Sequence, residues 1–380
     1  MRVQIVDPAA YTPPYDHALS GALTRAGAEV ELITSRFSYG PVPREQGYEV
    51  REFFYRRSSR EGIGPRRRRL LRAVEHVPDM LRYRRAAEAA DVVHYMWLPI
   101  PALDRHLLAP KRPRVYTMHW RLPETGTRIA RTLTRLLAQM DAVVVHSDHG
   151  ARRLESDFGV APEKLRVIPH GAFDYLTRQQ DEVALPAELR EVKGPVILAF
   201  GLVRPYKGID VLLEAFRRVD GAELWVVGMP RMPIEELHEL GRRAPGRVRF
   251  VDRFITDPEV PAFMRRADLI VLPYRNIEQS GVLYTALAFG RPLVLSAVGG
   301  FPELAERGAA RLVPPGDLDA LARVVGELIE NRSARDALAD AATKEAATTY
   351  SWERIGDQTM QLYRDLLGPR RSTPSADNPR

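Results

Sequence analysis

The stretch that decides the fold is PVILAFGLVRPYKGIDVLLEAF, residues 195–216. It divides into an apolar run that stops at Gly201, a short loop carrying Arg204 and Lys207, and an amphipathic pattern that begins near Gly208 and Ile209. A short apolar run bounded by glycine and followed at once by helical periodicity reads as a βα unit of a parallel sheet. Ligands of such sheets bind beyond the carboxyl ends of the strands, and the two permanent cations stand at such an end. Gly201 lets backbone approach a ligand closely, and the following helix adds a partly positive N-terminus. Arginine offers oxyanions a bidentate fork and lysine a compact point charge. The loop is no P-loop, because Lys207 does not stand in a G-K-[ST] context.

Outward from this unit, strand-like and helix-like runs alternate along almost the whole chain. VQIVD, EVELITS, DVVHYMWL, RVYTMHW and AVVVHS form one series that KLRVIPHGAFDYL closes. A polar, strand-free connector, TRQQDEVALPAELREVKG, follows, and PVILAFG then opens a second series through AELWVVG, VRFVDRF, LIVLPY, PLVLSAVGG and ARLVPPG. This pattern predicts an α/β fold of two doubly wound domains, joined near residues 170–194, with a ligand cleft between them. The predicted bounds are 1–175 for the first domain, 176–350 for the second, 351–367 for a final helix, and 368–380 for a Pro/Ser/Arg tail expected to be disordered.

Composition narrows the function classes. The 45% apolar and 28% charged fractions are those of a soluble globular chain. No stretch approaches the ~20 apolar residues of a membrane span, and MRVQIVDPAAY runs straight into a strand pattern with no signal-peptide character. With no cysteine there is no disulfide, thiolate metal site or cysteine nucleophile. The expectation is a cytoplasmic protein. No His/carboxylate cluster has metal-ligand spacing, and Asp317 in GDLDAL reads as the N-cap of a helix rather than a ligand. The net charge of +7 concentrates between Arg51 and Arg85. There Leu70, Leu71, Val74, Val77 and Leu81 trace an apolar stripe edged by arginines, suited to an anionic membrane surface from Arg66 to Arg85. A solvated helix face gives the same pattern, and no nucleic-acid recognition module accompanies it.

FGLVRPYKGIDVLLEAF resembles the phosphate-binding segment of retaining GT-B glycosyltransferases of family four. MDAVVVHSDHGARRLESDFGVAPEKLRVIPHG, VRFVDRFITDPEVPAFMRRADLIVLPY, SGVLYTALAFGRPLVLSAVGGFPEL and SWERIGDQTMQLYRDLL agree with that family in order, so the resemblance covers all but the tail. It implies two Rossmann-like domains facing a cleft, with the last helix crossing back onto the first domain. It also implies a nucleotide-sugar donor held by the second domain, and transfer with retention and without a metal or other cofactor. Carried over residue by residue, Arg204 and Lys207 resemble the diphosphate clamp, with Gly201 beside them. Glu278 resembles the first Glu of the paired-Glu motif, and Gly281 and Val282 offer backbone N–H groups to phosphate or sugar. Arg253, Phe254 and Ile255 fall near the nucleobase. Thr285 stands where the second Glu, an acceptor of ribose hydrogen bonds, is expected, one residue closer than the usual interval. Its single hydroxyl makes one bond instead of a bidentate pair.

On the acceptor side the family match gives His119, at the end of RVYTMHW, the role of holding the donor sugar. Tyr15, Asp16 and His17 open the first helix and Trp97 ends a strand; all four are candidates for a sugar or lipid-linked acceptor. For Asp16 a helix cap, and for Trp97 core packing, are equally consistent with the sequence. His94 ends the same strand as Trp97, and His170 and Asp174 mark the interdomain connection, where a structural or cleft-lining role fits better than chemistry. A nucleotide-sugar epimerase on the same architecture, and a membrane-binding protein with a decayed transferase site, are the alternatives.

Overall fold

The computed structural model describes all residues except 38, 39, 41, 43–46, 61, 120, 121, 245 and 369–380. The tail expected to be disordered lies almost wholly outside the described residues.

The first sheet holds β1 (Arg2–Asp7), β2 (Glu29–Ser35), β3 (Glu49–Phe54), β4 (Val92–Tyr95), β5 (Arg114–Thr117), β6 (Ala142–Val145) and β7 (Leu165–Val167). Their spatial order is β3-β2-β1-β4-β5-β6-β7, and every pairing is parallel. It is covered by α1 (Pro13–Arg25), α2 (Pro65–Ala86), α3 (Pro101–Leu107), α4 (Arg128–Leu137) and α5 (Asp148–Phe158). Strand β3 overlaps the start of the cationic run, which hydropathy marks only as charged. As an edge strand it keeps a largely solvated face, so EVREFF never forms an apolar run.

After α6 (Ala187–Arg190) in the connector, the second sheet holds β8 (Val196–Phe200), β9 (Glu223–Val227), β10 (Val248–Val251), β11 (Leu269–Leu272), β12 (Leu293–Ser296) and β13 (Arg311–Val313). The order is β10-β9-β8-β11-β12-β13, again parallel throughout. Its helices are α7 (Ile209–Phe216), α8 (Glu235–Arg243), α9 (Val260–Arg266), α10 (Gly281–Ala288), α11 (Phe301–Glu306), α12 (Leu318–Glu330) and α13 (Arg332–Ala347). Asp317 caps α12 by accepting from the Ala320 N–H at 2.9 Å, as its position in the sequence suggests, and Asp319 pairs with Arg218.

Each sheet reverses its strand order once, between β1 and β4 and between β8 and β11. Such switch points open the crevice in which doubly wound sheets bind ligands. The chain passes between the halves twice, and α14 (Trp352–Leu367) returns to pack on α1 and join the core of the first sheet through Trp352, Ile355, Met360, Leu362 and Tyr363. The two crossings are pinned together where Trp352 Nε1 donates to the Ala172 carbonyl at 2.8 Å. A Cβ on Gly171 would lie 2.3 Å from the Trp352 ring, so only glycine lets the strands of the hinge meet there.

Candidate active site

The loop after β8 folds so that its two cations differ. Arg204 is exposed, whereas Lys207 is only 6% exposed. Lys207 Nζ donates to the Phe200 carbonyl at 3.3 Å and sits 5.3 Å from the centre of the Tyr274 ring. Burial lowers its pKa to about 8, with Arg204 adding like-charge repulsion. Gly201, at φ +94°, has no room for a side chain: a Cβ would lie 2.9 Å from both Lys207 Nζ and Val282 Cγ2. The loop is locked to the β11–α10 connection by Arg275, which donates to the Pro205 carbonyl and clasps Asp210 with both terminal nitrogens.

Helix α10 begins beside this lysine. Ser280 caps it by accepting from Leu283 N, which leaves the N–H groups of Gly281 and Val282 unpaired within the helix. Glu278 precedes it and is nearly buried, its Oε1 held 2.5 Å from Arg153 on α5. Thus Gly201, Lys207 and Val282 converge at the β8/β11 switch point, with Glu278 just before α10. Thr285 is buried and gives its hydroxyl to the Gly281 carbonyl at 2.9 Å, one turn back along α10. Arg253 is committed to Glu259 at 2.6 Å, Phe254 is half exposed and Ile255 buried, forming the end of the loop after β10.

Across the cleft, the ends of β4, β5 and β6 carry an aromatic cluster. Trp97 stacks on His119 with centroids 5.6 Å apart, and donates through Nε1 to Thr12 Oγ1 at 2.8 Å. His119 lies 5.2 Å from His146, which lies 5.3 Å from His170, and the Tyr15 ring touches all three. His170 in turn stacks on Tyr284 of α10 at 4.1 Å. The Nε2 atoms of His119 and His146 are buried and find no hydrogen-bond partner among the described residues. Burial and mutual repulsion hold His119 and His170 well below the ordinary histidine range, and burial lowers His146 to about 4. These rings are neutral at physiological pH.

The first-helix candidates sit deeper than the sequence reading places them. Tyr15, Asp16 and His17 are all buried, because α1 is enclosed between the sheet and α14. His17 is bound to Tyr48 at 2.6 Å. Asp16 is not a cap, since α1 starts at Pro13 with Thr12 before it. Its carboxyl accepts from Thr12 Oγ1 and meets Asp7, whose own oxygens take the N–H groups of Ala9, Tyr11 and Thr12. Burial, reinforced by Asp7, pushes Asp16 well above the carboxylate range. The aromatic that does reach solvent is Tyr11, 53% exposed and edge-on to Trp97 at 5.1 Å. The sequence reading passed over it and over Arg153; a lone tyrosine in a turn and an arginine in a charged helix carry no periodic signal. His94 is structural, spending both nitrogens on Tyr363 and Thr117.

The arrangement offers a cationic anion pocket with backbone donors on one wall, and uncharged imidazole and aromatic surfaces on the other. That pairing suits a phosphorylated ligand with a sugar at its end.

Comparison with known proteins agrees. Residues 16–172 match the family described as Glycosyltransferase Family 4, and residues 194–331 match Glycosyl transferases group 1. The MMP α-(1→4)-mannosyltransferase of Mycolicibacterium hassiacum is 30% identical over 64% of this chain, which spans 57% of that relative's length. The GDP-mannose:glycolipid 4-β-D-mannosyltransferase of Xanthomonas campestris is 29% identical over 65% of this chain and 71% of its own. Among solved structures, the sucrose-phosphate synthase of Thermosynechococcus elongatus superposes with a TM-score of 0.72 at 20% identity, covering 96% of this chain and 99% of its own. Anabaena HepE, solved with UDP, gives 0.71 at 20% identity, covering 95% of this chain and 99% of its own. With both halves matched in order and the two-sheet fold shared, the chain belongs to the group 1 glycosyltransferases of family four and has the GT-B fold.

Proposed function

We propose that the protein transfers a sugar from a nucleotide diphospho-sugar to a hydroxyl of a sugar or lipid-linked acceptor, with retention at the anomeric carbon. The observation that carries this reading is Lys207, a buried lysine with Arg204 beside it and no carboxylate partner of its own among the described residues. In this reading the pair neutralises the departing diphosphate as fixed protein cations, with no metal involved, and the N–H groups of Gly281 and Val282 assist. Electrostatic groups of this kind contribute roughly 3–4 kcal/mol each to lowering a barrier. Glu278 accepts from a hydroxyl of the donor sugar, His119 orients its reacting face, and the phosphate oxygen takes the acceptor proton. Arg253, Phe254 and Ile255 border the base, and Thr285 leaves the ribose with one carboxylate fewer. Trp97 and Tyr11 supply the stacking surface for the acceptor.

The test is nucleotide release from GDP-, UDP- and ADP-sugars, each with and without a lipid extract and with and without EDTA. The relatives' names put GDP-mannose first among the donors. Release that requires an acceptor and survives EDTA is expected; interconversion of donor sugars without a new linkage would point to an epimerase instead.

The acceptor side includes a membrane component in this proposal, placing the enzyme at the inner face of the cytoplasmic membrane. Among the described residues no helix is long and apolar enough to cross a membrane. On α2, Leu70, Val74 and Leu81 are exposed, Leu70 by 68%, while Leu71 and Val77 are half-buried. Arg66, Arg67, Arg69, Arg82 and Arg85 flank the exposed three, so the stripe is narrower than the sequence suggests but keeps its cationic edges. Binding to vesicles containing anionic lipid is expected to weaken steeply between low and physiological salt. Equal binding to neutral vesicles would reject this role for α2.

A further inference from the structure

Helix α5 belongs to the acceptor half, yet its first two turns lie against the donor loops of the opposite half. Ser147, its N-cap, packs so close to Gly300 that a Cβ there would stand 2.9 Å from the Ser147 Cβ. The His149 N–H donates to Glu303 Oε1 at 3.0 Å. One turn further on, Arg153 Nη1 meets Glu278 Oε1 at 2.5 Å, and the same guanidinium is steadied by Asp157, whose Oδ2 accepts from Nε at 3.1 Å. The chain of contacts therefore runs from Asp157 through Arg153 and across the cleft to Glu278.

Three features separate this pair from an ordinary surface ion pair, which contributes little. Glu278 is 11% exposed, so little solvent competes for its hydrogen bond to Arg153. Only Oε1 is committed: Oε2 takes no hydrogen bond among the described residues, leaving an acceptor lone pair whose direction Arg153 sets. The two residues also sit on different sheets' helices and loops, so the pair exists only while the halves are together.

We propose that Arg153 is a positioning residue for the transfer reaction: it reaches across the cleft to orient Glu278, so that the donor site is completed by closure of the acceptor half. This rests on the donor role given to Glu278 above. Free nucleoside diphosphate, which lacks the sugar that Glu278 contacts, binds without needing Arg153. The intact donor needs it in the transition state.

The experiment compares full-length wild type, Arg153→Ala, Arg153→Lys, Glu278→Gln and the double variant Arg153→Ala/Glu278→Gln. It uses the donor and nucleotide identified in the release assay. For Arg153→Ala, kcat is expected to fall roughly tenfold to a hundredfold, the range for losing a hydrogen bond to a charged group. The Kd of the nucleoside diphosphate should stay within about twofold. Arg153→Lys should recover part of the loss, and the double variant should fall little further than either single one. Equal activity of Arg153→Ala and wild type overturns the proposal. So does a parallel loss of nucleotide affinity and kcat, or full additivity in the double variant. If Arg153→Ala does not fold, Glu278→Gln and Arg153→Lys still carry the comparison: unchanged kcat in both refutes it. A wild type that releases nucleotide from no donor overturns the functional reading itself, and this inference with it.

Discussion

Lys207→Met is expected to give a protein that is more stable than wild type and nearly inactive. Burial lowers the lysine pKa from 10.5 to about 8. Between those values the unfolded chain holds a proton that the folded chain has lost, so stability rises with pH across that window. Below pH 8 both states are protonated and the whole cost of burying the charge is present. That cost is on the order of 3 kcal/mol at pH 7. Methionine fills the same space without the charge, and the denaturation midpoint at pH 7 should rise accordingly, while at pH 10 the difference should shrink. Turnover should fall by roughly 10²–10³, the loss seen when one preorganised charge-stabilising donor is removed. In wild type, donor KM is expected to climb above pH 8 as Lys207 discharges. A Lys207→Met protein that is less stable than wild type at pH 7, or that keeps its turnover, would contradict the assignment of this lysine as an anion site held ready at a cost in stability.

The residues that were readable in advance are those whose signal is local. The parallel sheets follow from apolar runs such as VILAF and LIVL that are buried on both faces, and the Asp317 cap from one residue ahead of a periodic run. The place of Lys207 just beyond the end of β8 is legible because a βα loop has a fixed position relative to its strand. What was not readable depends on contacts between distant segments. Asp16 looks like a solvent-facing first-turn residue until α14, more than three hundred residues later, closes over α1. Arg153 is one arginine among many until α5 meets the loop containing Glu278, 125 residues away. Thr285 was marked by its position in a motif, but its hydroxyl is spent on its own helix, which only the backbone geometry reveals. Strand β3 was missed for a related reason: an edge strand has no need of an apolar pattern.

The second large effect expected is acid instability set by the neutral histidine cluster. His119, His146 and His170 pack around Tyr15 between the two halves, and His94 lies under α14 with Tyr363. Burial lowers His146 to about 4 and His94 to about 3, and holds the other two well below the ordinary value of 6.5. Below pH 6.5 the unfolded chain takes up protons on these rings that the folded chain refuses, so stability is lost as pH falls from 6.5 toward 4. A ring lowered to 4 contributes roughly 2 kcal/mol of that loss at pH 5. Asp7 and Asp16 act in the opposite sense. Burial raises both, so the folded chain holds protons above 3.8 that the unfolded chain has released, and their contribution improves as pH falls. His17, lowered to about 4 by burial, adds a fifth ring to the loss, and Asp79, Asp174 and Asp257, also raised by burial, add to the offset. The histidines, whose window opens at 6.5, set the sign between pH 6.5 and 5. His146→Asn, which keeps a donor for the Ile168 carbonyl now bonded at 2.9 Å, should lose about 2 kcal/mol less than wild type between pH 7 and 5. Asp16→Asn should raise stability at pH 7 by removing a buried acid, and should make the acid loss steeper because the offset is gone. Denaturation midpoints measured from pH 8 to 4 decide the matter. A profile flat from 7 to 5 in wild type would mean that these rings hold their protons in the folded chain, and that the wall facing the anion pocket is cationic instead of neutral.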